Sequence, residues 1–423
     1  MLSARGARWA KVDYAHGVQN RYDAVKNPQG AVRFEGAENW LMHSELAEFI
    51  DGVSFDQSCC AYGEGYTGSS RLRKAMAHHL NTHFAPAQAI DAEEITFAAG
   101  VTNLNEACAL VTCNPDAGEA IMLGRPVYGA FSLDLCMRTG VELEYVSVGD
   151  RDQFTPDCVA AFEAGYDAAI ARGRNIRALI ICNPHNPLGR CYPRETLIGL
   201  LQLCARKGIH LISDEIYALS TYGRNDREPE VFTSIRSIDF VGIIDPKQVH
   251  VLYGMSKDFG AAGTRLGCVV SQNREFTDAV RAICRFASPS QFSMHITASL
   301  LEDQDYIRSF LDKSRARLLQ NRLAAESLLS EAGIAFHDAG NAGLFMWIDL
   351  SPFLPVAETN GDSWAAQRLI AERLEQAGVI LQSGESYRAP EPGWCRLVFS
   401  LEEESLREGI RRLSRVISGV SAQ

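Results

Sequence analysis

The sequence predicts an α/β protein. A large domain is built around a mostly parallel sheet with helices on both faces, and a smaller α+β domain follows. Three observations carry this. Between residues 94 and 271, apolar runs of strand length alternate with helical stretches, the pattern of parallel strands joined by crossover helices. After Pro289 the composition shifts and a long helical pattern opens. The first 45 residues follow neither period and hold the turn-forming step Asn27-Pro28-Gln29-Gly30. The expected division is an arm over 1–45 that joins and completes the small domain, a large domain over 46–300, and a small C-terminal domain over 301–423.

Taken in order, a glycine-rich loop at Gly63–Gly68 precedes a helix over 70–84, with Leu72, Met76 and Leu80 on one stripe and Ser69 or Ser70 as its cap. A strand at 94–97 runs through Gly100 into a helix over 103–112. That geometry aims free backbone N–H groups at an anion. Strands follow near 119–123, 142–147, 177–182, 209–213, 249–253 and 267–271. Helices lie between them over 155–172 and 193–207, with Pro193 in the first turn and Gly208 closing the second. The C-terminal part reads as a helix over 306–332, strands at 343–350 and 395–400, and helices at 363–377 and 403–418.

Composition narrows the function. A chain 46% hydrophobic and 22% charged is ordinary for a globular protein. The formal charge of -11, without a basic block, argues against nucleic acid as a partner. Twelve cysteines occur without a Cys-x-x-Cys pair or zinc spacing, which suggests reduced, buried thiols in the cytoplasm and no metal site. No apolar run reaches membrane-spanning length, and the N-terminus lacks a secretory h-region.

The chemistry is expected at strand ends. Lys257 follows the apolar run Val249–Tyr253 and precedes a glycine-rich loop, so its stem should be buried and its amine aimed into a cleft. Burial lowers a lysine pKa, and a neutral amine can form a Schiff base with a carbonyl. Arg265, eight residues on, can hold a phosphate in its planar fork. The pair suggests pyridoxal 5'-phosphate (PLP); a surface loop with two ordinary cations is the plainer reading. Asn186, between two Asn-Pro steps, could bond a bound ring, or the turn could be structural. Asp214 could face a pyridinium N–H, with Tyr217 on the ring's phenolic oxygen, or it could cap the next helix. Tyr128 could stack on a planar cofactor, or simply pack. Arg396 opens an apolar strand and needs an anion, either a substrate carboxylate or a nearby acid.

In chain order the segments AENWL, GYTG, AAGVTNLNE, RPVYGAF, NPHNPLG, SDEIY, SKDFGAAGTRLG and EPGWCRLVF resemble the fold-type I PLP enzymes of the aspartate aminotransferase superfamily. Within it they resemble the 1-aminocyclopropane-1-carboxylate (ACC) synthase-like branch, through Ala37-Glu38-Asn39, Gly343–Leu350 and the EPGW motif with Arg396. The resemblance implies that Lys257 is the Schiff-base lysine, Asp214 the partner of the pyridine nitrogen, Tyr217 and Asn186 the pair on the phenolic oxygen, and Tyr128 the stacking ring. It places the phosphate on the backbones of Val101 and Thr102 with Ser256 and Arg265. It puts the substrate α-carboxylate on Arg396 beside the backbone at Ala37, and Glu38 in the substrate pocket. It implies a homodimer with shared active sites, Tyr66 entering the neighbouring subunit. The implied substrate is an α-amino acid or a derivative of one. The implied reaction is elimination with C–S cleavage, with transamination as the alternative. A non-catalytic regulator on the same fold would need a DNA-binding segment for which the first 40 residues have no room. Two departures from the family pattern stand out. Gly254 replaces a serine that touches the phosphate, and Thr67, Ser69 and Ser70 alter the substrate mouth.

Overall fold

The apolar runs form a seven-stranded mixed sheet. The computed structural model describes residues 1–11, 20–55, 57–149, 151–223 and 231–419. From one edge the strands are Ile95–Ala98, Gly267–Ser271, Val249–Gly254, His210–Asp214, Asn175–Cys182, Glu119–Arg125 and Glu142–Ser147. Gly267–Ser271 runs antiparallel to both neighbours, and every other pair is parallel. The strands are apolar on both faces because both faces are covered. Leu179 and Ile181 point into one core, with helices Cys158–Ala171 and Arg194–Lys207. Their neighbours Ala178 and Ile180 point into the other, with helices Val101–Thr112 and Arg274–Ile283. The register sets Cys182 beside Asp214 and Asp214 beside Leu252, so the loops after these three strands leave from one edge.

A second, antiparallel sheet has the order Gln382–Ser383, Trp394–Val398, Phe345–Asp349, Ala335–Phe336. The N-terminal segment is built into this layer. Val32–Arg33 pairs in parallel with Val379–Ile380, and Phe34 and Ala37 are buried in the same core as Phe345 and Leu397. Residues 12–19 of the expected arm lie outside the described residues. The 28-residue helix Gln304–Glu331 serves both cores. Its Ile307, Phe310 and Leu311 pack in the large core, and Leu318, Ala325 and Leu329 in the second.

Most expected elements are present, with shifted ends. The strand at 94–97 starts at Ile95, because Asp91 caps a short turn, Ala92–Glu94, that consumes Glu94. The next helix starts at Val101, directly after Gly100, which takes φ 90°. Pro193 stands just before its helix, not in the first turn. Helices His43–Asp51, Arg274–Ile283 and Gln291–Glu302 were not anticipated. In the first of these only Leu46 is fully buried, and Phe49 and Ile50 pack half-buried against the large core.

That helix is also held by charge. Glu45 accepts from Arg317 Nη1 at 3.0 Å and pairs with Lys313, both on the long helix. Burial pushes the Glu45 carboxyl up, but these two cations outweigh burial and bring it to about 2. A depressed carboxyl pKa stabilises the fold above the unfolded value, near 4.5, and that contribution is lost as pH falls towards 2. Glu45→Gln is expected to lower stability at pH 7 by about 1–2 kcal/mol, after screening around the half-exposed Lys313. The gap from wild type in urea midpoints should narrow as pH drops from 5 towards 3. A gap independent of pH would refute the ion-pair account.

Candidate active site

The aligned strand ends open into one cavity of about 800 Å³. Its floor takes Tyr128 from the loop after Glu119–Arg125, Asn186 from the loop after Asn175–Cys182, Asp214 and Tyr217 from the end of His210–Asp214, and Ser256 and Lys257 after Val249–Gly254. Ala37 and Glu38 come from the N-terminal segment, Val101 and Thr102 from a helix start, and Arg265 and Arg396 complete the wall. Among the site residues expected from sequence, only Tyr66 does not line it. Tyr66 is 40% exposed in its glycine-rich loop.

Lys257 donates from Nζ to Ala37 O at 2.6 Å and lies 6.0 Å from the Tyr217 ring centroid. Desolvation, helped by the Arg396 charge, lowers its pKa to about 8. Its loop is tied down by the next residue. The buried Asp258 carboxylate accepts from Ser220 Oγ at 2.6 Å, Leu219 N at 2.9 Å and Tyr253 OH at 3.0 Å. A buried carboxylate with three donors is a satisfied anchor.

Asp214 is buried, and its carboxylate accepts from Ile216 N at 3.2 Å. Burial pushes its pKa up to about 7, and Lys257 pulls the other way. A carboxylate in this setting gains most from a cationic N–H partner. Asn186 is buried, and its Oδ1 accepts from Arg396 Nη1 at 3.1 Å. Both Asn-Pro bonds of the Asn183–Gly189 turn are cis. Tyr217 meets Phe345 edge-on at 5.3 Å, and burial holds its hydroxyl well above the ordinary range. Arg396 is buried, donates from Nη2 to Glu35 O at 2.5 Å and lies 5.0 Å above the Phe345 ring. Among the described residues it joins no ion pair, and its Nε has no partner. A guanidinium in that state calls for an external carboxylate.

The opposite end of the cavity suits a phosphate. Val101 and Thr102 open their helix without a side-chain cap, which leaves N–H groups for a ligand. Arg265 takes the left-handed conformation, φ 50°, and donates to Ala262 O at 3.0 Å. It lies so close to Gly100 that a Cβ there would stand 2.6 Å from Nη2. Gly254 has a similar constraint. A Cβ at Gly254 would come within 2.7 Å of Leu266 O and 2.9 Å of the Gly267 Cα. The missing serine is therefore a matter of backbone spacing, and Ser256 remains as the hydroxyl in the cup.

Among the wall residues that the sequence reading missed are Asp134 and Arg388. Asp134 accepts from Asn105 Nδ2 at 3.3 Å, and burial pushes its carboxyl up to about 7. It ends a four-residue helix, too short to leave a periodic signal. Arg388 lies in the turn before the EPGW motif with φ 58°, a conformation that no residue type announces outside glycine and asparagine.

These residues fit PLP on chemical grounds. The site offers an amine of lowered pKa, a carboxyl in need of a cationic partner, an uncapped helix start beside Arg265, and an unpaired guanidinium. Together with the sheet they define a PLP-dependent enzyme of fold type I. The chain belongs to the aminotransferase class I and II family, whose profile matches residues 42–413. ACC synthase 3 of Oryza sativa subsp. japonica is 32% identical, over 93% of this chain and 89% of that protein. The ACC synthase-like protein 1 of Mus musculus is 31% identical over 99% and 84%. The probable aminotransferase gliI of Aspergillus fumigatus is 30% identical over 98% and 96%. In fold, the chain matches a multiple substrate aminotransferase from Thermococcus profundus with a TM-score of 0.76 at 19% identity, over 99% and 98% of the two chains. The resemblance to the ACC synthase-like branch is thus borne out. No helix among the described residues is long and apolar enough to cross a membrane.

Gly254→Ser tests the spacing argument. The added side chain is expected to destabilise the protein by about 1–3 kcal/mol and to leave PLP affinity unchanged or weaker. Thermal melts and a cofactor titration measure both. Tighter PLP binding at undiminished stability would show that the cup had lacked the hydroxyl.

Proposed function

We propose that the enzyme removes the α-proton of an amino acid and then expels a sulfur-bearing group, cleaving a C–S bond. The observation that carries the first half is Arg396, a buried guanidinium that joins no ion pair among the described residues and lies in the same cavity as Lys257. Arg396, with the backbone at Ala37, holds the α-carboxylate. Asp214 holds the proton of the ring nitrogen, Tyr217 and Asn186 bond the phenolic oxygen, and Tyr128 stacks on the ring. Val101, Thr102, Ser256 and Arg265 hold the phosphate. Bound PLP supplies the electron sink for the pair left at the substrate α-carbon. Lys257 would hold the cofactor in the resting enzyme and, with substrate bound, would take the α-proton; a pKa of about 8 suits a base working near neutral pH. Glu38 faces the substrate side chain.

Similarity to ACC synthases over almost the whole chain supports elimination. Transamination is the second reading, favoured by the similarity to a probable aminotransferase over 98% of the chain. Single turnovers with ordinary amino acids and with sulfur-bearing ones separate the two. Elimination releases thiol or thioether, with the cofactor returned to its starting form. Accumulation of pyridoxamine phosphate from an ordinary amino acid, reversed by a keto acid, would establish a transaminase.

Tyr66 is assigned to a neighbouring subunit's site in a two-fold homodimer. Phe55, Tyr62 and Phe292 are also large exposed aromatics, and Phe55 and Phe292 lie 5.5 Å apart, which supports a covered face. Heterodimers of Tyr66→Ala with Lys257→Ala are expected to regain about half of the per-site activity, because one composite site is intact. An active monomer, or verified heterodimers without rescue, would remove Tyr66 from the site.

A further inference from the structure

The cations that line the cavity are Lys257, Arg265, Arg388 and Arg396. The proposed function gives a task to each except Arg388. Of the acids of the same wall, Glu35, Glu38, Asp134, Asp214 and Glu385, none forms an ion pair with it among the described residues. Glu385 pairs with Arg368 at 2.7 Å, Glu35 with Arg33 at 2.6 Å, and Asp134 is bonded from Asn105. Among the described residues Arg388 forms no ion pair. Its guanidinium rests 5.4 Å over the Tyr145 ring.

The position of Arg388 is fixed by its backbone. Its own N–H donates to Glu385 O at 3.2 Å, and Ala389 N donates to Gly384 O at 2.9 Å, which closes a tight turn. The turn is fastened to the loop that carries Tyr128, through Val127 N to Tyr387 O at 2.9 Å. Gly129 has no room for a side chain beneath Ser386 O. The left-handed conformation of Arg388 persists because these contacts over-determine it. An exposed guanidinium without an ion pair among the described residues is thereby held in the cavity wall, while Arg396 is buried in the strand Trp394–Val398.

We infer that Arg388 is a specificity-determining residue that receives a second carboxylate at the far end of the substrate side chain. The inference rests on the reading of Arg396 as the α-carboxylate clamp. A planar fork suits a carboxylate. One guanidinium matches a single negative charge better than a phosphate dianion.

The test is carboxylate binding to the PLP-loaded enzyme, followed by cofactor absorbance and by calorimetry. The probes are monocarboxylates and the dicarboxylates from succinate to adipate, at matched chain length. In the wild type at least one dicarboxylate is expected to bind about tenfold tighter than its monocarboxylate partner. Arg388→Ala should shrink that ratio to about twofold or less, Arg388→Lys should fall between, and monocarboxylate affinity should change much less. No preference for any dicarboxylate in the wild type, or a preference that survives Arg388→Ala, overturns the inference and leaves the Arg396 reading standing. A wild type that binds neither class overturns both.

Discussion

Two half-hidden or hidden cations that form no ion pair among the described residues, Lys257 and Arg396, govern this site. Both face one cavity, and the backbone of one short N-terminal stretch serves both: Glu35 O takes Arg396 and Ala37 O takes Lys257. Neutral carbonyls soften the desolvation of a cation without cancelling its charge. Lys257 therefore stays easy to deprotonate, and Arg396 stays open to an anion. This arrangement explains why residues 32–37 must be woven into the second sheet and its core. The stretch is a structural element of the cavity as much as a chain end.

The large sheet supplies the complementary half. Parallel strands start their following loops from one edge, so four segments distant in sequence deliver Tyr128, Asn186, Asp214 and Lys257 to the same space. Rigidity there comes from buried polar anchoring. Asp258 ties the Lys257 loop to the turn at Leu219 and Ser220. Glu215, next to Asp214, accepts from Ser213 Oγ, Ser234 Oγ and Ile235 N. Lys257 and Asp214 thus each have a neighbour in sequence that holds them in place.

Much of this could be read from the chain. Strands buried on both faces leave continuous apolar runs, and their ends mark where ligands go, so Asp214, Lys257 and Asn186 stood out by position. Of the helices that escaped notice, His43–Asp51 fully buries only Leu46, and Arg274–Ile283 only Phe276, Thr277 and Val280. Residues placed by turn geometry left no pattern. Arg388 depends on hydrogen bonds within its turn and on contact with a loop about 260 positions earlier in the chain. Gly254 looked like a lost hydroxyl in one dimension; in three it is a spacing requirement. The reaction itself lies furthest from the sequence, because both outcomes share the same proton removal and differ only in what the side chain of the substrate carries.

The glycines behind the phosphate end form a stack. Gly254 faces Gly267 across two strands, and a Cβ on Gly267 would stand 2.7 Å from Val101 N. Gly100 in turn lies under Arg265. The shape of this cup is therefore written in main chain, where single amino-acid changes have little to vary. The mouth, in contrast, is made of side chains on turns such as Gly384–Ala389, at the other end of the cavity. Such a division decouples two kinds of inheritance. On the proposed reading, the cradle leaves little for a single substitution to alter, while the mouth offers side chains that one codon change replaces.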